Sequence, residues 1–303
     1  MRNCPMVIAS LAVVLGSLSA QAATIYVSPA GNDAWSGLGA DVPVATLERA
    51  RDLLRQTKDP SSRVIVADGR YTLPQPFVLT PADSGVVYEA APGARPVFSG
   101  GRVIRGFEPA GNGLWRAKID DVADGSWYFD QLFVDGRRAT RARSPNKFYY
   151  YMLDVQEETL VKGSGNRPQR ARQTVTVRPA DVSPLLELSD RELRDVQMVV
   201  YHKWDNTTRF IEGLDKSESA IVTTGEGLKP WNSWGKGDRY HLENFPAALD
   251  APGEWFLSRD GWLYYVPLEG QDMAKAEVVA PVVEKFVLFE GDVQSGKWVE
   301  NIT

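Results

Sequence analysis

The stretch "RVIVADGRYTLPQPFVLTPADSGVVYEAAPGARPVFSGG" (Arg63–Gly101) contains four short apolar runs, each closed by Gly, Pro or Asp. Such runs are typical of β-strands separated by turns. Ile65 and Val87 lie 22 residues apart, and Val78 and Phe98 lie 20 residues apart. Two interleaved series with nearly the same period predict the coils of a parallel β-helix, whose stacked repeats bury a common core. A β-sandwich with evenly spaced strands is the alternative.

An amphipathic helix is predicted just before these runs, in "ATLERARDLLRQTK" (Ala45–Lys58). Its apolar residues recur at helical spacing and form one face. That face comprises Leu47, Ala50, Leu53 and Leu54. Thr46 is suited to cap the N-terminus, Glu48 suits the positive end of the helix dipole, and the following "KDPSS" is expected to end the helix.

The middle of the chain, residues 103–275, lacks this period and carries longer, aromatic-rich alternating segments. Val-Asp-Gly at 134–136 and Arg-Asp-Gly at 259–261 are hairpin signals. "SDRELRDV" (189–196) predicts a short helix in which Ser189 and Glu192 form a capping box. We therefore expect an antiparallel β-barrel or sandwich domain inserted between β-helix coils.

The C-terminal part, residues 276–303, returns to short apolar runs such as "AEVVAPVVEKFVLFEGDV". The expected domain order is therefore a cap with the first coils at 23–102, the inserted domain at 103–275, and a resumed β-helix at 276–303. A β-helix that stopped in a strand would expose an unpaired coil. The sequence is thus interpreted as the N-terminal part of a longer protein.

Residues 1–22 have the features of a secretory signal peptide. Arg2 is followed by the apolar run "VIASLAVVLGSLSA" and by Ala20-Gln21-Ala22, a small-x-small cleavage pattern. The run is too short to span a bilayer comfortably. We expect a mature chain from Ala23 that is secreted or periplasmic, with no membrane association after cleavage. Cleavage also removes Cys4, the only cysteine, so neither disulfides nor thiolate metal sites are expected.

Charge and composition narrow the possible partners. The net charge is −5 and the basic residues are scattered, which argues against nucleic-acid binding. With only two histidines in the chain, a histidine zinc site is not expected. Asn32, Asp33 and Asp41 have no recognisable calcium-loop spacing and are expected to stabilise a turn. No metal and no cofactor are therefore predicted.

Two stretches combine aromatic and polar side chains in a way that suits sugar binding. "YHKWDNTTRF" (201–210) contains Trp204, Asp205 and Arg209, and "KPWNSWGKGDRYH" (229–241) contains Trp231 and Trp234. Aromatic faces pack on pyranose rings, while flanking polar groups bond hydroxyls. The alternatives are an Asx turn at Asp205 and tryptophans that pack back onto the β-domain.

A third candidate is the arginine-rich stretch "GRRATRARSPN" (136–146), from which Arg141 and Arg143 are predicted to contact substrate. Guanidinium groups bind carboxylates with two parallel hydrogen bonds, so an acidic sugar would suit them. They share a face only if the strand is regular. The alternative is a solvated edge strand or pairing with nearby acidic residues.

An ordered set of motifs resembles one known family. In chain order these are "YVSPAGND", "PVATLERARD", "DGRYTLPQPFVLTPADSG", "YEAAPGARPVFSGG", "LFVDGRRATRARSPN" and "LDAPGEWFLSRDGWLYYVP". Together they resemble the N-terminal half of bacterial right-handed parallel β-helix glycoside hydrolases of family 141, which includes fucosidases and xylanases. The resemblance covers nearly all of the mature chain.

The resemblance implies a helix that caps the β-helix and a β-domain inserted after the first coils. It implies that the acidic catalytic residues lie on later coils, beyond Thr303. Glycoside hydrolysis needs two carboxyl groups across the scissile bond. The expected function is therefore that of an N-terminal portion of a secreted hydrolase of plant or algal polysaccharide. A non-catalytic glycan-binding or adhesion protein and a polysaccharide lyase are the alternatives.

Overall fold

The computed structural model describes residues 23–57 and 62–303, so the predicted signal peptide lies outside the described residues. The fold is mainly β. Four short α-helices are present in this part of the chain: α1 (Leu47–Thr57), α2 (Asp120–Ala123), α3 (Pro179–Val182) and α4 (Asp190–Leu193). The strands are β1 (Thr24–Val27), β2 (Arg63–Val66), β3 (Arg70–Thr72), β4 (Phe77–Leu79), β5 (Val87–Ala90), β6 (Val97–Ser99), β7 (Gly101–Ile104), β8 (Glu108–Gly111), β9 (Leu114–Lys118), β10 (Phe133–Val134), β11 (Arg137–Arg138), β12 (Thr140–Arg141), β13 (Arg143–Ser144), β14 (Tyr150–Tyr151), β15 (Asp154–Val161), β16 (Arg170–Thr176), β17 (Gln197–His202), β18 (Asp205–Asp215), β19 (Ala220–Gly225), β20 (Arg239–Glu243), β21 (Glu254–Leu257), β22 (Trp262–Tyr265), β23 (Val278–Pro281) and β24 (Val287–Phe289).

The chain folds into two compact units. The first unit contains the described residues up to Gly100 and resumes at Val283–Thr303, whereas the second unit is continuous over Gly101–Val282.

The first unit is built from three small parallel sheets, with strand orders β1-β2-β5, β3-β6 and β4-β24. Their apolar side chains alternate along the strands, so that one side of each strand enters a shared core. That core includes Ile25, Val27, Val64, Val66, Phe77 and Leu79. The four apolar runs within Arg63–Gly101 all form strands of this unit, β2, β4, β5 and β6.

The strand spacing predicted from the sequence is only partly correct. β2 does pair with β5, but Ile65 lies opposite Glu89 rather than Val87. Val78 pairs with Leu288 and not with Phe98. The whole second unit lies between Val78 and Leu288 in the sequence. Phe98 instead lies opposite Tyr71 of β3, a strand of three residues between turns. β3 has the sequence Arg-Tyr-Thr, in which only Tyr71 is apolar and buried, so it contains no apolar run that would indicate a strand.

Helix α1 follows the prediction closely. Thr46 Oγ1 accepts a hydrogen bond from the Arg49 amide at 3.1 Å, which confirms the N-cap. Leu47, Ala50 and Leu54 are buried in the core of the first unit. Asp33, which is expected to stabilise a turn, also holds the start of the helix. Its carboxylate accepts hydrogen bonds from the Ala45 amide at 2.8 Å, from the Thr46 amide at 3.0 Å and from the Thr46 hydroxyl at 2.9 Å.

The second unit contains a four-stranded sheet β11-β10-β23-β7, a five-stranded sheet β12-β21-β22-β9-β8, and a larger sheet β13-β20-β17-β18-β19-β16-β15 to which β14 adds at β20. All of its strand pairs are antiparallel except β12 with β21. Two apolar cores fill the unit, one centred on Tyr240 and Met198 and the other on Trp255 and Tyr265.

The local predictions for the second unit are confirmed. Asp135 (φ 51°) and Gly136 (φ 74°) form a tight turn between β10 and β11. Residues 258–261 connect β21 to β22. Ser189 and Glu192 form the expected capping box at the start of α4.

No helix within residues 23–57 or 62–303 is long and apolar enough to cross a membrane. In the same part of the chain, no group of three or more His, Cys, Asp or Glu side chains is placed to hold a metal ion.

Candidate functional site

Trp204, an exposed tryptophan, lies at the tip of the hairpin formed by β17 and β18. His202 lies opposite Asp205, which leaves Lys203 and Trp204 as a two-residue turn. Lys203 has a φ of 43°, the left-handed conformation that such turns require. Trp204 is 73% exposed. An indole that is this exposed adds little to the core and is available for contact with a ligand.

The second exposed tryptophan lies on the loop that joins β19 to β20. Trp231 is 63% exposed, and two lysines connect its loop to the hairpin tip. Lys203 Nζ donates to the Trp231 carbonyl at 2.7 Å, and Lys229 Nζ donates to Asp205 Oδ2, also at 2.7 Å. We call these five residues, Lys203, Trp204, Asp205, Lys229 and Trp231, the tryptophan surface.

The carboxylate of this surface is held in its ionised form. The hydrogen bond from Lys229 lowers the pKa of Asp205 most, and a hydrogen bond from the Asn206 amide at 2.9 Å acts in the same direction. Asp205 is therefore charged at neutral pH and acts as a hydrogen-bond acceptor, not as a general acid. The Asn206 amide belongs to the adjacent residue and both residues lie in β18, so this contact is not the Asx turn considered for Asp205.

Unsatisfied polar groups lie close in sequence to both tryptophans. Asn232 is only 1% exposed, and neither polar atom of its side chain has a hydrogen-bond partner among the described residues. His202 bonds Thr207 through Nε2 at 2.9 Å, while its buried Nδ1 has no partner in the same set. An unpaired buried polar group costs about 1–3 kcal/mol.

Two predicted contact residues support the surface instead of forming it. Trp234 is 6% exposed and packs in the apolar core, with its ring 6.4 Å from that of His202. Arg209 is half-buried and donates from Nη2 to the Glu226 carbonyl at 3.1 Å. Burial lowers the pKa of Arg209, which is the ordinary effect of desolvation on a cation. Both side chains position the loop that carries Trp231.

The predicted arginine face does not form. β11, β12 and β13 belong to three different sheets, so the alternation that would align their side chains is broken. Arg141 is 6% exposed and donates to Gln197 Oε1 (2.9 Å) and to the Tyr128 hydroxyl (2.8 Å) inside the unit. Arg143 donates to the Asn146 carbonyl at 3.1 Å. Neither arginine joins the tryptophan surface.

Sequence reasoning did not single out Lys203, Lys229 or Asn232. The turn position of Lys203 could have been found, because alternating segments end at His202 and begin at Asp205 with two residues between them. The pairing of Lys229 with Asp205 depends on how the loop after β19 folds over the hairpin, and no local pattern encodes that contact.

No family model matches the chain. A solved structure described as a glycoside hydrolase is similar to 93% of this chain, with a TM-score of 0.75 and 24% sequence identity. At this identity the similarity shows a shared fold. The chain spans about half of that structure, 49% of its length.

Two further similarities are weaker. A structure described as the complex of XylC with xylose covers 92% of this chain and 34% of its own, at 14% identity, but its TM-score of 0.36 is too low to support an argument. The MYG1 protein C694.04c of Schizosaccharomyces pombe is 26% identical over 147 residues, which is 40% of this chain and 44% of the other. That local match is too short to establish a family.

Proposed function

We propose that this chain is the N-terminal portion of a secreted glycoside hydrolase that acts on plant or algal polysaccharide. Its tryptophan surface contacts the glycan, and the catalytic carboxylate pair lies beyond Thr303. The fold shared with a glycoside hydrolase over 93% of the chain carries this proposal. The chemistry needs two carboxyl groups and no cofactor. Export through the predicted signal peptide, with cleavage near Ala22, is part of the same proposal.

The proposal includes a right-handed parallel β-helix that begins in the first unit. Three parallel sheets with short strands and shared apolar residues support it. Further support comes from the C-terminal residues, which lie beside β5. The Gly85 amide donates to the Glu300 carbonyl at 3.0 Å, and the Tyr88 amide donates to the Thr303 carbonyl at 2.8 Å. Stacked coils of a β-helix are joined in this way.

Glycan contact by the second unit is proposed from the geometry of the tryptophan surface. Trp204 and Trp231 present large apolar faces to solvent, and Asp205 and Lys229 add a charged acceptor and donors beside them. Aromatic stacking with polar groups at the rim is the usual chemistry of sugar recognition. The same surface favours a second candidate function, a glycan-binding or adhesion protein without catalysis.

Titration calorimetry of the full chain with neutral oligosaccharides from xylan, cellulose and laminarin tests the surface. Trp204→Ala and Trp231→Ala are each expected to weaken binding about tenfold, because each removes one stacking face. Trp35→Ala is the matched control, since Trp35 is also exposed but belongs to the first unit. Unchanged affinity in both variants would contradict the proposed surface.

Product analysis separates the candidate functions. Release of reducing sugar by the full-length protein supports a hydrolase, whereas an unsaturated product that absorbs in the ultraviolet indicates a lyase. Binding without turnover indicates the non-catalytic function. Residues 23–303 alone are expected to be inactive, and turnover by this chain would refute the placement of the catalytic pair beyond Thr303.

A further inference from the structure

A cavity of about 340 Å³ opens in the second unit, among residues that the tryptophan surface does not use. Its walls come from β9, from α4 and Asp195 two residues past its end, from the segment after β20, and from the hairpin of β21 and β22. This volume is near the lower end of the roughly 300–1,000 Å³ of small-molecule sites, and it suits a sugar residue or a short oligosaccharide.

One wall of the cavity is aromatic. Phe256 and Tyr264 face each other across β21 and β22, and their rings stack at a centroid distance of 5.9 Å with an interplanar angle of 18°. Phe256 is buried in one of the apolar cores, and the half-buried Tyr264 packs against the same core, which holds the pair in place. Leu249 extends the apolar wall. A fixed aromatic face next to an aliphatic side chain suits the C–H face of a pyranose ring.

The cavity is also lined by three carboxylates, which belong to Asp195, Glu192 and Asp260. Asp195 is buried and is bonded by the Arg259 side chain. Burial raises the pKa of Asp195, while the hydrogen bonds from Arg259 oppose that effect. Glu192 and Asp260 are more exposed, and each is oriented by a local contact, Glu192 by Ser189 at 2.7 Å and Asp260 by the Trp262 amide at 3.3 Å.

The two exposed carboxylates bring negative charge to the cavity. Hydrogen bonds from Ser189 lower the pKa of Glu192. Burial would raise the pKa of Asp260, but hydrogen bonds from Ser258 and Trp262, together with the nearby charges of Lys118 and Arg191, outweigh burial and lower it. Both groups are therefore ionised at neutral pH. Ionised carboxylates accept hydrogen bonds from sugar hydroxyls and repel the carboxylate of a uronic acid.

We propose that this cavity is a second carbohydrate subsite, which takes a neutral sugar residue between the Tyr264–Phe256 wall and the carboxylates of Asp260 and Glu192. The inference rests on the carbohydrate function proposed above, but it uses none of the residues of the tryptophan surface. Its specificity is for neutral glycans over uronic-acid glycans.

The test measures binding of xylotetraose, cellotetraose and tetragalacturonate to the full chain by saturation-transfer NMR and titration calorimetry. Asp260→Asn removes one negative charge, but the amide oxygen can still accept from the Trp262 backbone. Tyr264→Leu removes the ring and retains an apolar side chain. Each change is expected to weaken binding of the neutral tetrasaccharides about tenfold. Thermal melting of each variant verifies that it is folded.

Asp215→Asn is the matched control. Asp215 also accepts a backbone hydrogen bond two residues ahead in a turn, from the Ser217 amide at 3.0 Å, but it does not line the cavity. This variant is expected to bind like the wild type. Wild-type affinity in folded Asp260→Asn and Tyr264→Leu variants would overturn the proposal. Tighter binding of tetragalacturonate than of both neutral tetrasaccharides by the wild type would overturn it as well.

The double variant Trp204→Ala/Trp231→Ala separates the two proposals. If it still binds a neutral tetrasaccharide and that remaining binding is lost with Asp260→Asn, the cavity is a subsite in its own right. If it loses all binding while the cavity variants bind normally, the cavity proposal fails and the tryptophan surface stands. If only the cavity variants lose binding, the cavity stands and the tryptophan surface fails.

Discussion

Asp83 shows how one residue joins two elements of the first unit. Its buried carboxylate accepts two hydrogen bonds from Arg55 of α1, each at 2.7 Å, and one from the Thr80 amide at 2.7 Å. Burial by itself would raise the pKa of Asp83, but the bonds from Arg55 and Thr80 outweigh it and lower the pKa. The ionised form is therefore the one that stabilises the fold.

Asp83→Ala is expected to reduce the free energy of unfolding by about 1.5–3 kcal/mol, the usual range for a hydrogen bond to a charged group. Because the folded-state pKa is below the unfolded value of about 3.9, this stabilisation is present above pH 4 and is lost as the pH falls through the folded pKa. Urea unfolding at pH 7 and pH 3 measures both effects. Glu89→Gln is the control, since its exposed pair with Arg63 contributes at most about 1 kcal/mol. Equal effects of Asp83→Ala at the two pH values would contradict this account.

The tryptophans show what residue type alone cannot decide. The stretch Lys229–His241 is predicted as an aromatic loop, but its last three residues begin β20, and its two tryptophans have opposite environments. Trp231 is exposed and Trp234 is buried in the core. Because a tryptophan suits both a core and a sugar-binding surface, only the packing of the loop distinguishes them. Trp234 is therefore unsuitable as a test of binding, since its removal would act through stability.

At the scale of the element, α1 was the most predictable part of the chain. Its start and its buried face follow from an N-cap and an apolar repeat, which are local signals. The predicted breaker falls mainly on residues 58–61, outside the described residues. The structure refines the apolar face: Leu54 is buried, whereas Leu53 is only partly buried against the same core. The contact from Asp33 to the start of the helix spans an intervening loop, and the sequence did not reveal it.

Leu54→Ala is expected to lower the free energy of unfolding by about 2–5 kcal/mol, because it leaves a cavity in the core of the first unit. Gln56→Ala, at an exposed position of the same helix, is the control and should stay within about 0.5 kcal/mol of the wild type. Chemical denaturation followed by circular dichroism measures both. A Leu54→Ala variant as stable as Gln56→Ala would show that α1 does not contribute its apolar face to folding.

At the scale of the whole molecule, the second unit has the strand pairing of a self-contained domain. β7 and β23 are antiparallel neighbours, so Gly101 at one end of the unit lies opposite Pro281 near the other. Ile104, Val278 and Ala280 contribute to one of its two cores. Domains whose termini meet can be inserted into a host chain, and they often fold when excised.

We expect excised residues 101–282 to unfold cooperatively on heating, with a far-ultraviolet spectrum typical of β-structure. The shorter piece 103–275 is the matched control. It lacks β23 and therefore loses the pairing of β23 with both β7 and β10. We expect it to melt at a lower temperature or without cooperativity. A non-cooperative melt of residues 101–282 would mean that the unit needs the rest of the chain.

The sequence by itself determined the features that depend on neighbours within a few residues. These are the cap and apolar face of α1, the turns at Asp135 and Gly136 and at residues 258–261, the capping box of Ser189, and most of the short strands of the first unit. Backbone sterics, side-chain caps and alternating burial act over such distances, so their signals are visible in short windows of sequence.

Only the tertiary structure decided which distant segments meet. It pairs β4 with β24, which the second unit separates in sequence, and it joins Asp205 to Lys229. It also buries Arg141 and brings Asp195, Asp260 and Tyr264 around one cavity. The physical reason is that a strand edge or a carboxylate can pair with many partners of equal local suitability. Loop closure and the packing of the whole core select one of them.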